Sequence, residues 1–374
     1  MRGRSNVLVL SLTAFAIDTT FGAWWMILPL YLERLGASVP EVGISCALID
    51  MAWAISQLPG GLLSDRFGRK RMIIISTSTF TPFYISMLLL KDWASATAAL
   101  TLSSLFAGLQ NPSFSSMIAE SSEDREVARA FGIYNSLMNL GWALGPLLGA
   151  IVIPILGFDA IFTSGAIVTA ICLLLRSILL SEPSSSSGKS RVPVRGVVIP
   201  IVTSILIFQA ANGMIYPLIP IYAERVMGFN LSEVQLMFFA AQLLISLSSL
   251  AAGPLMARMG GLRGLLMSFL LSGASSMAWA LSRSGYAVIL LSIYYSSLFA
   301  FAEVAFSTLF SEVTTKERRA TAFGAATVMS GLAHSAGSYL GGILWEVSDP
   351  LTPFLLAFSL MILSPLPMIK SERA

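Results

Sequence analysis

The stretch Pro29-Leu30-Tyr31-Leu32-Glu33-Arg34 recurs in the second half of the chain as Pro220-Ile221-Tyr222-Ala223-Glu224-Arg225. The similarity extends outward from these stretches: the glycine and charged positions of residues 29–150 return at nearly constant spacing, separated by long apolar runs. Two related halves made of apolar segments are typical of a carrier that binds its substrate between the halves. The repeat therefore predicts two pseudo-symmetric bundles of membrane-spanning helices.

The composition indicates a protein that crosses the membrane many times. Of its 374 residues, 55% are hydrophobic and only 11% are charged, and the mean hydropathy is +0.78. A soluble domain carries about 25% charged residues. Because a span needs about 20–25 residues, twelve spans occupy most of the chain and leave no room for a soluble catalytic domain. We therefore predict an all-α polytopic membrane protein with twelve transmembrane helices.

The positions of the basic residues predict the topology. Most of the 23 Lys and Arg residues, Arg176 among them, fall in alternate loops, starting at the N-terminus. Cytoplasmic loops retain such residues, so we expect a multi-pass protein of the cell membrane with both termini in the cytoplasm. Residues 181–196 are polar and rich in Ser, Gly and Pro, which predicts a flexible cytoplasmic linker. It separates a six-helix bundle over residues 1–180 from a second over residues 197–374.

The loop between the second and third predicted spans carries the most specific motif, Gly61-Leu62-Leu63-Ser64-Asp65-Arg66-Phe67-Gly68-Arg69-Lys70-Arg71. It resembles the signature loop of the major facilitator superfamily and fills every position of that motif. Gly68 permits a tight turn, and Asp65 can pair with an arginine or with a positive helix N-terminus. The resemblance implies that this contact closes the cytoplasmic side of the carrier. The alternative is that the loop serves only to fix the topology of the chain in the membrane. In the second copy Ala257 replaces the aspartate.

The fifth predicted span resembles the helix motif of the antiporter branch of the same family, with one departure at Ala150. Glycines four residues apart line one face of a helix and let a neighbouring backbone approach, while an internal proline adds a bend. Ordinary small-residue packing of helices is the alternative. The motif positions are Gly132, Gly141, Gly145, Pro146 and Gly149.

The fourth predicted span departs from the family pattern. The resemblance implies an arginine four residues before a glycine, with a part in proton handling. Here the glycine is Gly108 and the corresponding position is Ser104. This replacement weakens the case for a simple proton coupling of the family type.

Ionisable groups inside predicted spans are costly and indicate function. Asp18 lies near the centre of span one, and the family resemblance implies that spans one, four, seven and ten line the cavity. Asp18 and Glu303 are therefore the leading coupling candidates, since a carboxylate in an apolar cavity can exchange a proton near neutral pH. The alternative is an interhelical hydrogen bond or a buried pair. The full set of coupling and substrate candidates is Asp18, Asp50, Asn111, Gln209, Asn212, Glu303, His334, Trp24, Trp25 and Tyr216.

The ends of spans four and ten carry an acidic residue followed by arginines, which predicts ion pairs at a cytoplasmic gate. Charges that are only solvated in the loops are the alternative reading. With the signature loop, the gate candidates are Gly61, Asp65, Arg66, Gly68, Arg69, Lys70, Glu120, Arg125, Arg129, Glu312, Arg318 and Arg319.

These observations predict a secondary transporter of small organic molecules that works by alternating access, with proton-coupled efflux as the mode. An uptake symporter or a facilitator for a sugar or metabolite is the alternative. The sequence lacks His-Glu-x-x-His and Gly-x-Ser-x-Gly motifs, and its two cysteines have no metal-binding spacing, so we expect no enzyme activity, cofactor or metal site. The expected partners are the substrate, protons and the lipid bilayer; we expect a monomer that does not bind nucleic acid.

Overall fold

The computed structural model describes residues 2–122, 127–182, 198–282, 286–302, 305–306 and 319–368. These residues are almost entirely helical, as expected where lipid offers no hydrogen-bond partner to the backbone. The helices before the predicted linker are α1 (Arg2–Trp25), α2 (Leu28–Arg34), α3 (Val39–Phe67), α4 (Arg69–Leu89), α5 (Trp93–Glu120) and α6 (Val127–Leu179).

The helices after the predicted linker follow the same order. They are α7 (Val198–Ile215), α8 (Leu218–Arg225), α9 (Leu231–Met259), α10 (Gly261–Leu281), α11 (Tyr286–Tyr295), α12 (Arg319–Val347) and α13 (Thr352–Leu363). Seven helical segments among the described residues are long and apolar enough to span a bilayer by length and composition.

The chain forms two compact units whose limits differ from the halves of the repeat. The first unit comprises Met1–Gly36, Leu48–Gly188 and Leu231–Leu236. The second comprises Ala37–Ala47, Lys189–Asn230 and Met237–Ala374. Residues 39–47 of α3 belong to the second unit, while the rest of α3 belongs to the first. In α9 the order is reversed: residues 231–236 belong to the first unit and the rest of the helix to the second.

The first span of each half is interrupted, although the sequence predicted one continuous helix over 6–33 and another over 197–224. Turns at residues 26–27 and 216–217 separate α1 from α2 and α7 from α8. Pro29 occupies the first turn of α2, and Pro217 is the N-cap residue of α8. Proline lacks the N–H that would continue the preceding helix but is tolerated in a first turn. The two breaks occupy equivalent places in the repeat.

Spans five and six, which were predicted separately, are two helices that follow each other directly within α6. Its backbone is non-helical at Gly157, where φ is +76°. Only glycine adopts this conformation without a steric penalty, so the connection between the two spans is reduced to a kink at this residue.

The start of α5 shows how a polar loop residue positions a span. The side chain of Asp92 caps the helix by accepting a hydrogen bond from the Ser95 amide at 2.9 Å. Hydrogen bonds from the Ser95 side chain and backbone hold the pKa of Asp92 below its usual value. Aspartate is a preferred N-cap residue because its side chain satisfies a free backbone N–H group.

Glycines bring α1 and α6 into close contact in the first unit. A Cβ atom at Gly141 would lie 2.7 Å from the Phe15 carbonyl oxygen, and one at Gly145 would lie 2.6 Å from the Gly22 carbonyl carbon. Such distances leave no room for a side chain, so the two backbones touch directly. In the second unit α7 and α12 are packed in the equivalent way, with Gly213 against the backbone of His334.

Candidate functional site

The first unit contains a cavity of about 380 Å³. Its wall is formed by α1, α3, α4, α5 and α6. The charged side chains in this wall are Asp18 on α1, Asp50 on α3 and Arg176 on α6. Concave sites of this size, lined mainly by apolar side chains with a few polar groups, are typical of small-molecule binding.

Asp18 reaches the cavity because α1 and α6 approach so closely. A Cβ atom at Gly141 would lie 3.2 Å from the Cβ of Asp18, so glycine at this position leaves space for the aspartate. The carboxylate accepts no hydrogen bond from any described residue. Asp18 therefore has an acceptor available on the cavity wall, and the glycine motif of α6 positions it there.

Aromatic residues are the largest group in the remaining wall. Phe21 and Trp25 stack with centroids 4.7 Å apart, and Phe21 also meets Trp142 edge to face at 5.7 Å. Flat apolar molecules and organic cations both bind to such rings. The aromatic residues of the wall are Phe21, Trp25, Trp53, Phe80, Phe83, Tyr84, Phe114, Tyr134 and Trp142.

Arg176 is the functional candidate that the sequence analysis missed. The charge pattern assigned this residue to the cytoplasmic loops, and that assignment is wrong: Arg176 lies inside α6 and is 2% exposed. Nε donates to Thr13 Oγ1 at 2.9 Å and Nη1 to Thr77 Oγ1 at 2.6 Å. The guanidinium also lies 4.9 Å from the centroid of the Phe114 ring. The available signal was an arginine flanked on both sides by apolar residues of a span.

The structure groups four of the ten predicted coupling and substrate candidates around this cavity. Trp25, Asp50 and Asn111 line it together with Asp18. Trp24 does not line it; this side chain is fully buried, with Nε1 3.5 Å from the hydroxyl of Tyr84. Gln209, Asn212, Tyr216 and His334 do not line this cavity.

Three of these remaining candidates form a cluster in the second unit. The ring centroids of Tyr216 and His334 are 5.6 Å apart. The Tyr294 hydroxyl donates a hydrogen bond to the side-chain oxygen of Asn212. Gln209 lies one helical turn from Asn212 and has a buried side-chain oxygen that no described residue contacts by a hydrogen bond. Glu303 lies outside the described residues, so its predicted role stays a prediction.

The signature loop contains a compact charge cluster. Arg69 donates to Asp65 at 2.6 Å and to Glu120 at 3.0 Å, and the Arg69 and Glu120 side chains are only 12% and 15% exposed. The sequence led us to expect Asp65 to pair with an arginine or a helix N-terminus across the interface of the two halves, and Glu120 to pair with the arginines that follow it; both stay predictions. Among the described residues both carboxylates pair with Arg69, which the turn at Gly68, with φ of +96°, places near the end of α3.

The start of the predicted linker closes this cluster. The carboxylate of Glu182 accepts hydrogen bonds from the backbone N–H groups of Arg69 and Lys70, the latter at 2.9 Å. These are free N–H groups at the beginning of α4, where a helix attracts negative charge. Glu182 was assigned to the linker because of the composition of residues 181–196. That composition does not indicate that Glu182 caps a helix.

The other gate and motif residues have varied surroundings. Arg66 is exposed, with its guanidinium 5.4 Å from the ring of Phe67, and Arg129 is exposed in the first turn of α6. Gly61 and Gly132 are not closely approached by neighbouring helices, since a Cβ at either would have no atom nearer than 3.9 Å. Arg125, Glu312 and Arg318 lie outside the described residues, as does the side chain of Arg319.

Replacing Arg69 tests the charge cluster. We expect Arg69→Ala to destabilise the protein by about 1–2 kcal/mol, because it leaves the half-buried Glu120 carboxylate without its partner. The exposed Arg66 is the matched control, and Arg66→Ala should change the stability by less than about 0.5 kcal/mol. Thermal unfolding of the purified variants in detergent measures both. Equal stability of the two variants would show that the pairs of Arg69 contribute nothing.

Comparison with known proteins identifies the family. The family model described as Major Facilitator Superfamily matches residues 10–338. An uncharacterised MFS-type transporter of Methanocaldococcus jannaschii is 24% identical over 284 residues, which cover 71% of this chain and 72% of that protein. The quinolone resistance protein NorA of Staphylococcus aureus is 24% identical over 182 residues, which cover 49% of this chain but only 47% of NorA.

Solved structures share the fold over nearly the whole chain. A bacterial homologue of the human lysosomal transporter Spinster has a TM-score of 0.79 at 14% identity, covering 98% of this chain and 96% of its own. The nucleoside transporter NupG has a TM-score of 0.80 at 15% identity, covering 97% and 99%. A D-xylose–proton symporter has a TM-score of 0.78 at 14% identity, covering 97% and 96%. The predicted all-helical fold of twelve spans is confirmed, and this chain belongs to the major facilitator superfamily of membrane transporters.

Proposed function

We propose that the protein exports small organic molecules in exchange for protons, and that Asp18 binds either the proton or the substrate. The observation that carries this proposal is the Asp18 carboxylate on the wall of an aromatic-lined cavity, without a hydrogen-bond partner among the described residues. Two ligands that compete for one carboxylate cannot be bound together, and this exclusion couples their movements in opposite directions.

Two further observations support exchange and efflux. Gly141 and Gly145 of the motif that resembles the antiporter branch lie against α1, with Gly141 at the level of Asp18, so motion along this contact would act directly on Asp18. The partial relative NorA is named for resistance to quinolones, and such resistance is consistent with export. Quinolones are aromatic, and aromatic rings bind such molecules, so a fluorescent quinolone is the first compound to test.

The direction of flux in proteoliposomes tests the proposal. Proteoliposomes with an acidic lumen should accumulate external quinolone as protons leave, and a protonophore should abolish the accumulation. Protein-free liposomes with the same gradient correct for passive entry of the compound. Accumulation that instead requires an alkaline lumen would indicate symport and would overturn the proposed exchange.

A further inference from the structure

Arg176 is a buried cation that is not in direct contact with a carboxylate; Asp18, on the same cavity wall, acts on it electrostatically from a greater distance. It forms no ion pair within 4.0 Å with any described residue. Its two hydrogen bonds go to threonine hydroxyls, which are neutral. A guanidinium stays charged at every accessible pH and carries five N–H donors. Burial of such a group without a directly paired anion is costly, so a ligand that places an anion against the guanidinium stabilises it.

The surroundings of Arg176 hold its guanidinium in one orientation at the cavity wall. Thr13 on α1 and Thr77 on α4 each accept one hydrogen bond, and the Phe114 ring of α5 supports the guanidinium from another side. In the described structure these contacts leave Nη2 without a protein acceptor. An arginine fixed in this way is preorganised to bind a planar anionic group with little loss of side-chain entropy.

The same cavity offers acceptors at other points of its wall. Besides the Asp18 carboxylate, the side-chain oxygen of Gln110 is buried and receives no hydrogen bond from the described residues. Gln110 is only 8% exposed, so water has little access to its side-chain oxygen. N–H groups of a ligand would donate hydrogen bonds to these two acceptors. Arg176, which only donates hydrogen bonds, would bind the anionic end of the ligand.

We infer that Arg176 binds the anionic group of the substrate and that, together with Asp18, it selects zwitterionic molecules with an aromatic body. This inference rests on the proposed function, since it assigns a substrate class to the same cavity. The aromatic rings bind the body of the molecule, Asp18 and Gln110 bind its cationic end, and Arg176 binds its carboxylate or an equivalent anion.

Three probes that share an indole ring and differ in charge test the inference. Tryptophan is a zwitterion, tryptamine a cation and 3-indolepropionate an anion at neutral pH. Equilibrium binding of the tritiated compounds to the purified protein should show about tenfold tighter binding of tryptophan than of either other probe, as expected for one charge-assisted hydrogen-bonded pair. A protein that does not prefer tryptophan, or that binds none of the probes, would overturn the inference.

Substitution of Arg176 separates recognition of the anion from a purely structural role. Arg176→Gln should reduce tryptophan binding to the level of tryptamine, while tryptamine binding changes by less than about twofold. Arg176→Lys keeps the charge and should retain part of the preference. If Arg176→Gln binds tryptophan and tryptamine with the wild-type ratio, Arg176 only links the helices and the inference fails. Should the Gln variant not fold, the Lys variant and the wild-type preference still decide.

The Asp18→Asn variant distinguishes this inference from the proposed function. It should weaken binding of tryptophan and tryptamine alike, because both present an ammonium group. If both bind unchanged while tryptophan remains preferred, the role of Asp18 is wrong and the role of Arg176 stands. If Asp18→Asn weakens both but Arg176→Gln leaves the preference intact, the reverse holds.

Discussion

The Asp18→Asn variant is expected to lose proton-driven accumulation of substrate. A gradient of about two pH units supports an accumulation ratio of about a hundredfold in a one-for-one exchange. Asparagine cannot carry the exchanged proton, so the ratio should fall to about one even where the cavity still binds the compound. Quinolone accumulation in proteoliposomes with an acidic lumen measures the ratio directly.

Asp159 provides the matched control for this experiment. It is an exposed aspartate of α6 that does not line the cavity, so Asp159→Asn makes the same chemical change away from the site. We expect this variant to accumulate the compound as the wild type does. Undiminished accumulation by Asp18→Asn would remove Asp18 from the coupling role and leave Asp50 as the other carboxylate of the cavity to be tested.

The Gly145→Ala variant is expected to disrupt the packing of α1 against α6. Its Cβ atom would lie 2.6 Å from the Gly22 carbonyl carbon and 2.7 Å from the Ala23 amide nitrogen, and backbone atoms cannot move aside as a flexible side chain does. Forcing an added carbon into such a contact costs about 1–3 kcal/mol. We expect the midpoint of thermal unfolding to fall by about 2–6 °C, and proton-driven accumulation to fall with it because Asp18 is displaced.

Gly132 belongs to the same helix and to the same motif, but a Cβ atom there would meet no atom within 4 Å. Gly132→Ala is therefore the matched control. It should leave stability unchanged or raise it by about 0.5–1 kcal/mol, because alanine favours the helix. If both variants unfold at the wild-type temperature, the close contact of α1 and α6 does not limit stability.

The sequence predicted the fold well because its evidence is distributed over the whole chain. Apolar runs long enough to span a bilayer, the repeat of Pro29–Arg34 at Pro220–Arg225 and the signature loop after α3 all indicate the same architecture. All three can be read from the sequence without knowing the tertiary packing. The apolar runs become helices because the bilayer offers their backbone groups no other hydrogen-bond partners. The interruptions after Trp25 and Ile215 were not predicted, although Pro29 and Pro217 lie within the affected stretches, because many membrane helices tolerate proline without a break.

The cavity could be predicted only in part. Asp18 was identified because a carboxylate inside a span is costly wherever the helix packs. The other residues of the wall around that carboxylate were not identifiable, since they come from four other helices. Asp65 and Arg69 illustrate the same limit: their charges and spacing were evident, but the turn at Gly68 determined that they pair with each other.

By itself the sequence determined which segments are apolar enough to span a membrane, how the halves correspond and which of these segments carry ionisable groups, because hydrophobicity and charge act on each segment separately. Only the tertiary structure decided that Arg176 leaves the loops and is buried between Thr13 and Thr77, that Gly141 makes space for Asp18, and that aromatic rings from α1, α3, α4, α5 and α6 form one wall. These features depend on which helix faces meet, and that is decided by close packing among residues far apart in the chain.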